Sequence, residues 1–100
     1  MFVSIEELRR HLNLPFTTDD LLLAEYEEAA ESVLEKHIGT SLNNYLDGPN
    51  GELNAALKLA IKTLVANFYM NREPVSFAQA YKIPYSLEYL IQGFKKYSKD

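Results

Sequence analysis

The sequence predicts an all-α domain, a small bundle of about four helices around one long central helix, with an extended arm or loop before the last helix. Three observations predict it. First, residues 52–73, ELNAALKLAIKTLVANFYMNRE, carry Leu53, Leu57, Ala60, Ile61, Leu64 and Phe68 at three- and four-residue steps, and Ala56, Val65 and Tyr69 widen that stripe to the breadth of a core helix. Its polar positions, Asn54, Lys58, Lys62 and Asn67, lie away from the stripe's centre, so only a narrow strip needs water. Second, residues 20–38 hold another stripe with helical spacing. Third, capping and stop signals stand where these periodic stretches begin and end.

Taken in order, Ser4-Ile5-Glu6-Glu7 has the spacing of a capping box and starts a short helix, with Phe2 and Val3 ahead of it as a hydrophobic staple. Ile5, Leu8 and Leu12 share one side, Arg9 and Arg10 the other, and the helix stops near Asn13 because Pro15 follows. Thr17-Thr18-Asp19-Asp20 supplies capping oxygens and negative charge for a second helix over residues 20–38. Leu22, Tyr26, Ala29, Val33 and His37 form its stripe, Leu23, Ala30 and Leu34 lie beside it, and Gly39 ends it in a left-handed conformation.

The opposite face carries Glu27, Glu28, Glu31 and Glu35. Glu27, Glu31 and Glu35 repeat at four-residue spacing, and each like-charge pair costs roughly 0.2–0.5 kcal/mol in an isolated helix. Solvent and salt, or a basic partner, are expected to offset that cost. Residues 40–51 are dense in turn formers and read as a connecting loop that accommodates one short helical turn around Leu42 to Leu46. Pro74 ends the central helix. Residues 75–83, VSFAQAYKI, show no helical stripe and read as an extended arm or a strand pairing with another chain, exposing Phe77 and Tyr81 unless something covers them. Ser86 caps the last helix, with Leu87, Leu90, Ile91 and Phe94 on its apolar side, Tyr85 and Tyr89 bordering the core, and Lys95, Lys96 and Lys99 complementing its C-terminal dipole.

One hundred residues, 47% hydrophobic and 24% charged, fit a single globular domain spanning 1–100 and argue against disorder. The absence of cysteine excludes disulfides, thiolate nucleophiles and cysteine-ligated zinc, and fits a reducing compartment. The opening MFVSIEELRRHL lacks the pattern of a secretory signal, and no apolar run approaches the roughly eighteen residues of a membrane span, so a soluble, unexported protein is expected. Net charge is -4 but unevenly spread, -8 over residues 1–52 and +4 over 53–100, which points to electrostatic pairing within the fold or between copies.

Catalytic signatures are missing. Neither His11 nor His37 has a histidine or carboxylate at i+4, so both read as structural, and the four glycines form no phosphate-binding or dinucleotide pattern. The carboxylates of the second helix read as solvated surface. No enzyme activity, cofactor or metal is expected. Tyr81, Lys82, Tyr85, Tyr89, Lys95, Lys96 and Tyr97 interleave bases with aromatics, but an acidic protein repels phosphates over much of its surface, and core borders and a helix C-terminus account for these residues.

The order of these features resembles the head-tail connector, or head-completion, proteins of long-tailed double-stranded DNA bacteriophages, often labelled as possible DNA-packaging proteins. The resemblance spans nearly the whole chain. It runs through the short leading helix 5–12, the acidic start at 18–22, the alanine pair Ala29-Ala30 with Gly39, and above all the end of the long helix, where Tyr69, Arg72 and Glu73 match an aromatic-x-x-Arg-Glu ending. After a variable segment, Pro84-Tyr85 and then Leu90-Ile91-Gln92-Gly93-Phe94-Lys95 resemble a Pro-aromatic pair followed by two aliphatics, two spacers, an aromatic and a base. Ser86 stands where the family commonly has glycine, and Lys95 where arginine is usual, which replaces a bidentate donor by a point charge.

The resemblance implies a structural, non-enzymatic subunit of a ring, dodecameric in the virion. That ring lies beneath the portal of a phage or prophage capsid, extends the DNA channel and docks tail or adaptor proteins. DNA proximity is then non-specific and no membrane is involved. The expected location is the head-tail junction of the virion, with the bacterial host cytoplasm during assembly. On this reading Glu27, Glu31 and Glu35 of one subunit face Lys58, Lys62 or Arg72 of the next, and Phe77 and Tyr81 join the same interface. An acidic channel wall along which DNA slides is a second use for the same carboxylates. The alternative from another class is a small helical regulator or adaptor binding DNA or a host protein, which requires bases on an exposed recognition helix.

Overall fold

Ser4 opens α1 (Ile5–Leu12): its hydroxyl accepts the Glu7 N–H at 3.1 Å, and the Glu7 carboxylate returns to the Ser4 N–H at 3.2 Å, closing the expected capping box. The computed structural model describes residues 1–78 and 80–94. At the far end of α1, Asn13 turns left-handed at φ 58° and the Leu14 N–H reaches back to the Arg9 carbonyl at 2.9 Å, so a left-handed closure stops the helix before Pro15 acts.

α2 (Asp20–Ile38) and α3 (Ala55–Met70) pack along one another as the spine. Leu23, Tyr26, Ala29, Ala30, Val33, Leu34 and Ile38 from α2 are buried with Leu57, Ala60, Ile61, Leu64, Val65 and Phe68 from α3, the stripes that the three- and four-residue periodicity marks. α1 lies on both, burying Leu8. α4 (Val75–Ala78) lies on α2, and α5 (Tyr85–Ile91) closes on α3 with Leu87 and Ile91. The architecture is the expected all-α bundle, and among the described residues there is no strand.

The long helix is shorter than residues 52–73 suggest. Asn54 takes the cap position, its side chain accepting the Ala56 N–H at 2.9 Å, so the helix proper begins at Ala55. At the other end Arg72 is left-handed at φ 49°. Its N–H returns to the Tyr69 carbonyl at 3.2 Å and the Glu73 N–H to the Phe68 carbonyl at 3.0 Å. This paired closure, usually built on glycine, ends α3 before Pro74 is reached.

Two further expectations are corrected. Residues 75–78 are not part of an extended arm or a strand: Pro74 starts a helical turn whose Phe77 and Ala78 N–H groups both return to the Pro74 carbonyl, and Ala78 is buried, while residues 81–83 form the loop expected before the last helix. Tyr81 then packs edge-on against Phe68 with centroids 5.2 Å apart, so the segment is drawn onto the core by its own apolar residues. Nor does Ser86 cap the last helix. Pro84, extended at φ -64°, holds that position without a side-chain bond, and Ser86 falls inside the first turn. The connection after α2 forms the anticipated turn as a 3-10 helix, Leu42–Tyr45, whose Tyr45 ring meets Phe94 edge-on at 5.1 Å. Gly48 is needed in the following loop, since a Cβ there would stand 2.8 Å from the Leu53 carbonyl oxygen. Lys95, Lys96 and Lys99 lie outside the described residues.

Candidate functional site

With helix two placed, its acidic row takes on a different meaning. Glu27, Glu31 and Glu35 line one flank of α2, but that flank is not the solvent face. Glu27 is completely buried, and its Oε2 accepts the N–H groups of Phe2 at 3.1 Å and Val3 at 3.2 Å. Glu31 accepts the same Phe2 N–H at 3.1 Å, and Glu35 accepts the Leu42 N–H at 2.9 Å. Backbone donors, not salt or a basic neighbour, face these carboxyl groups. Burial, and then the hydrogen bonding and charge of Glu31, push the Glu27 carboxyl up to about 8 against the opposing pull of the two N–H groups. The solvent ridge of α2 is instead Leu21, Glu25, Glu28, Ser32 and Lys36.

The lysines assigned to a neighbour are likewise engaged at home. Lys58 Nζ lies 2.9 Å from Glu7 Oε2 and 2.7 Å from Glu52 Oε1, and Lys62 lies 3.7 Å from the same Glu7 oxygen. Burial pushes the Glu7 carboxyl up, but the Lys58 hydrogen bond, the Ser4 N–H and the two lysine charges outweigh it and hold the group at about 2. Glu7 therefore joins the start of α1 to α3.

The Tyr69, Arg72, Glu73 ending forms one junction. Tyr69 is buried and its hydroxyl donates to Asp19 Oδ2, so the Asp19 side chain serves α3 instead of capping α2. The Arg72 guanidinium sits 4.8 Å above the Tyr69 ring, and the Tyr26 hydroxyl donates to the Glu73 carbonyl at 2.6 Å. The end of α3 is thereby fastened to the first half of α2. Sequence reasoning missed both tyrosine partners, although a tyrosine within or beside an apolar stripe signals that its hydroxyl needs one.

The remaining candidates divide by exposure. Phe77 is 66% exposed and Arg72 lies at the surface, whereas Tyr81 is half-buried on Phe68. Tyr85 and Tyr89 do not border the core: they stand 88% and 83% exposed at i and i+4 on α5. Pro84 and Phe94 serve the fold at the cap of α5 and against Tyr45.

A family model described as phage gp6-like head-tail connector protein matches residues 2–96. The chain belongs to this family. It is a family of structural proteins that join phage head to tail, not a family of enzymes. No curated protein and no solved structure matches the chain. In the connector Tyr69, Glu73, Pro84 and Phe94 of the resemblance sit at fold junctions, while Tyr85, which also carries it, joins Leu21, Met70, Phe77 and Tyr89 as large side chains uncovered at the surface. Among the described residues no helix is long and apolar enough to cross a membrane.

Proposed function

We propose that the connector assembles with copies of itself into a closed ring beneath the portal of a phage or prophage capsid. The ring is dodecameric in the virion, lengthens the DNA channel and offers a docking surface to tail or adaptor proteins. The family match over residues 2–96 carries this reading, because it takes in the whole described bundle. Exposed Phe77, Tyr85 and Tyr89 support it, since apolar rings of this size left in water are the material of interfaces. Arg72 and Phe77 remain as contact residues from the expected interface. Glu27, Glu31, Glu35, Lys58 and Lys62 hold the subunit together and contribute to the ring indirectly. The subunit forms in the host cytoplasm and ends at the head-tail junction.

A regulator that reads DNA fits less well, because the exposed ridge of α2 begins with Leu21 and the carboxylates of Glu25 and Glu28, and carboxylates repel phosphates. The test is genetic. Deleting the reading frame from its phage or prophage and inducing lysis is expected to leave filled heads and finished tails unjoined in electron micrographs, with joining restored by the wild-type chain in trans. Intact virions from the deletion strain would overturn the assignment.

A further inference from the structure

A groove of about 520 Å³ runs between the C-terminal half of α2 and residues 80–83, lined by Val33, Lys36, His37, Tyr81, Lys82 and Ile83. Its floor is apolar, from Val33, Tyr81 and Ile83, and its rim is basic. Neither Lys36 nor Lys82 has an ion-pair partner among the described residues, and His37 has only Glu88 at 4.0 Å. The chemistry that suits it is an apolar side chain flanked by carboxylates.

The first half of the α2 ridge has that chemistry. Leu21 is 77% exposed and is followed at i+4 and i+7 by exposed Glu25 and Glu28, neither with an ion-pair partner among the described residues. We propose that the groove receives the Leu21, Glu25, Glu28 ridge of a second copy of this chain, with Leu21 on the apolar floor and the two glutamates against Lys36 and Lys82. This rests on the ring reading above and names the contact within it.

Self-docking within one chain is ruled out by geometry. Ridge and groove sit about twelve residues, roughly 18 Å, apart on one uninterrupted helix, which holds them at fixed separation. A ring requires this contact to be heterologous, each bound copy still offering a free ridge at one end and a free groove at the other, and not the reciprocal two-fold pair that two different patches can also make. Both patches leave the Glu7–Lys58 and Glu27–Phe2 contacts untouched, so they can be altered without opening the bundle.

Charge reversal tests the pairing. Glu25→Lys with Glu28→Lys in one chain, and Lys36→Glu with Lys82→Glu in another, are each expected to weaken self-association at least tenfold by sedimentation while circular dichroism stays helical. Mixing the two reversed chains is expected to restore assembly, since each ridge then meets a groove of opposite sign. Either reversed chain assembling alone as wild type does, or a mixture that stays monomeric, overturns the contact and leaves the ring reading standing. Wild-type chain monomeric at every concentration and salt overturns both.

A second readout uses the absence of native cysteine. A chain carrying Leu21→Cys and Lys82→Cys is expected to give a ladder of disulfide-linked oligomers on mild oxidation. A product that stops at dimer, or no product, overturns the head-to-tail contact.

Discussion

Arg72 occupies a backbone conformation that costs an L-residue roughly 1–2 kcal/mol and that glycine adopts freely. Its guanidinium over Tyr69 returns about 0.5–1 kcal/mol, the range for an exposed cation over an aromatic ring. The two nearly cancel, so stability alone does not select arginine here. Arg72→Gly is expected to change unfolding free energy by less than about 1 kcal/mol in a urea titration, since relief of the strained turn and the loss of the stacked cation oppose each other. The same variant is expected to weaken self-association, because it removes a charged, exposed group assigned to the subunit contact. A large loss of stability with unchanged assembly would show that Arg72 works only inside its own chain.

At the scale of elements, the α2–α3 junction depends on hydroxyls. Tyr26 is fully buried beside Phe68, with ring centroids 5.7 Å apart, and its hydroxyl bonds the Glu73 carbonyl that follows the α3 closure. Tyr26→Phe keeps the ring and removes that bond, which is expected to destabilise the bundle by about 1–2 kcal/mol in chemical denaturation. No loss on this substitution would mean that the Glu73 carbonyl is equally well served by water.

The central helices were legible because burial imposes periodicity: Leu57, Ala60, Ile61, Leu64 and Phe68 mark α3, and Gly39 and Ser4 mark their turns by chemistry few other residues share. The ends of α3 were not: Asn54 caps through its side-chain oxygen at a position that also fits the polar strip of a longer helix, and Arg72 acts through a left-handed backbone that residue type only weakly signals. Residues 75–83 misled for a related reason. A single helical turn is too short to show a period, and Tyr81 is half-buried through its partner Phe68, thirteen positions earlier.

At the scale of the whole molecule, the charge imbalance between the two halves is partly settled inside the fold, where Glu7 of the acidic half meets Lys58 and Lys62 of the basic half. Two glutamates set opposing limbs of the stability curve. Glu27 has its folded pKa raised from 4.5 to about 8, so the folded chain holds a proton that the unfolded chain releases. Its contribution is complete below pH 4.5 and is lost as pH rises through 8. Glu7, lowered from 4.5 to about 2, contributes above pH 4.5 and loses that contribution as pH falls through 2.

Together they place the most favourable pH for this pair near 4.5, the value at which neither limb has begun. Thermal melts across pH are expected to show stability declining toward pH 8, and Glu27→Gln is expected to remove that alkaline decline while leaving the acid limb. An unchanged alkaline limb in Glu27→Gln would mean that another group titrates there. The candidate site was less legible than the fold: the four-residue repeat of Glu27, Glu31 and Glu35 was visible, but which way α2 turns about its axis depends on where Phe2 and Leu42 return to it.

Those glutamates hold amide groups, which are present at every position except proline. The grip on Phe2, Val3 and Leu42 is therefore blind to the identity of the side chain it secures. Sequence drift at residues 2, 3 and 42 is constrained only by packing and by the exclusion of proline, whereas the three carboxyls that hold them are each specified by chemistry. A recognition of this kind leaves little trace of complementary variation between the partners, because one side of the contact is the main chain itself.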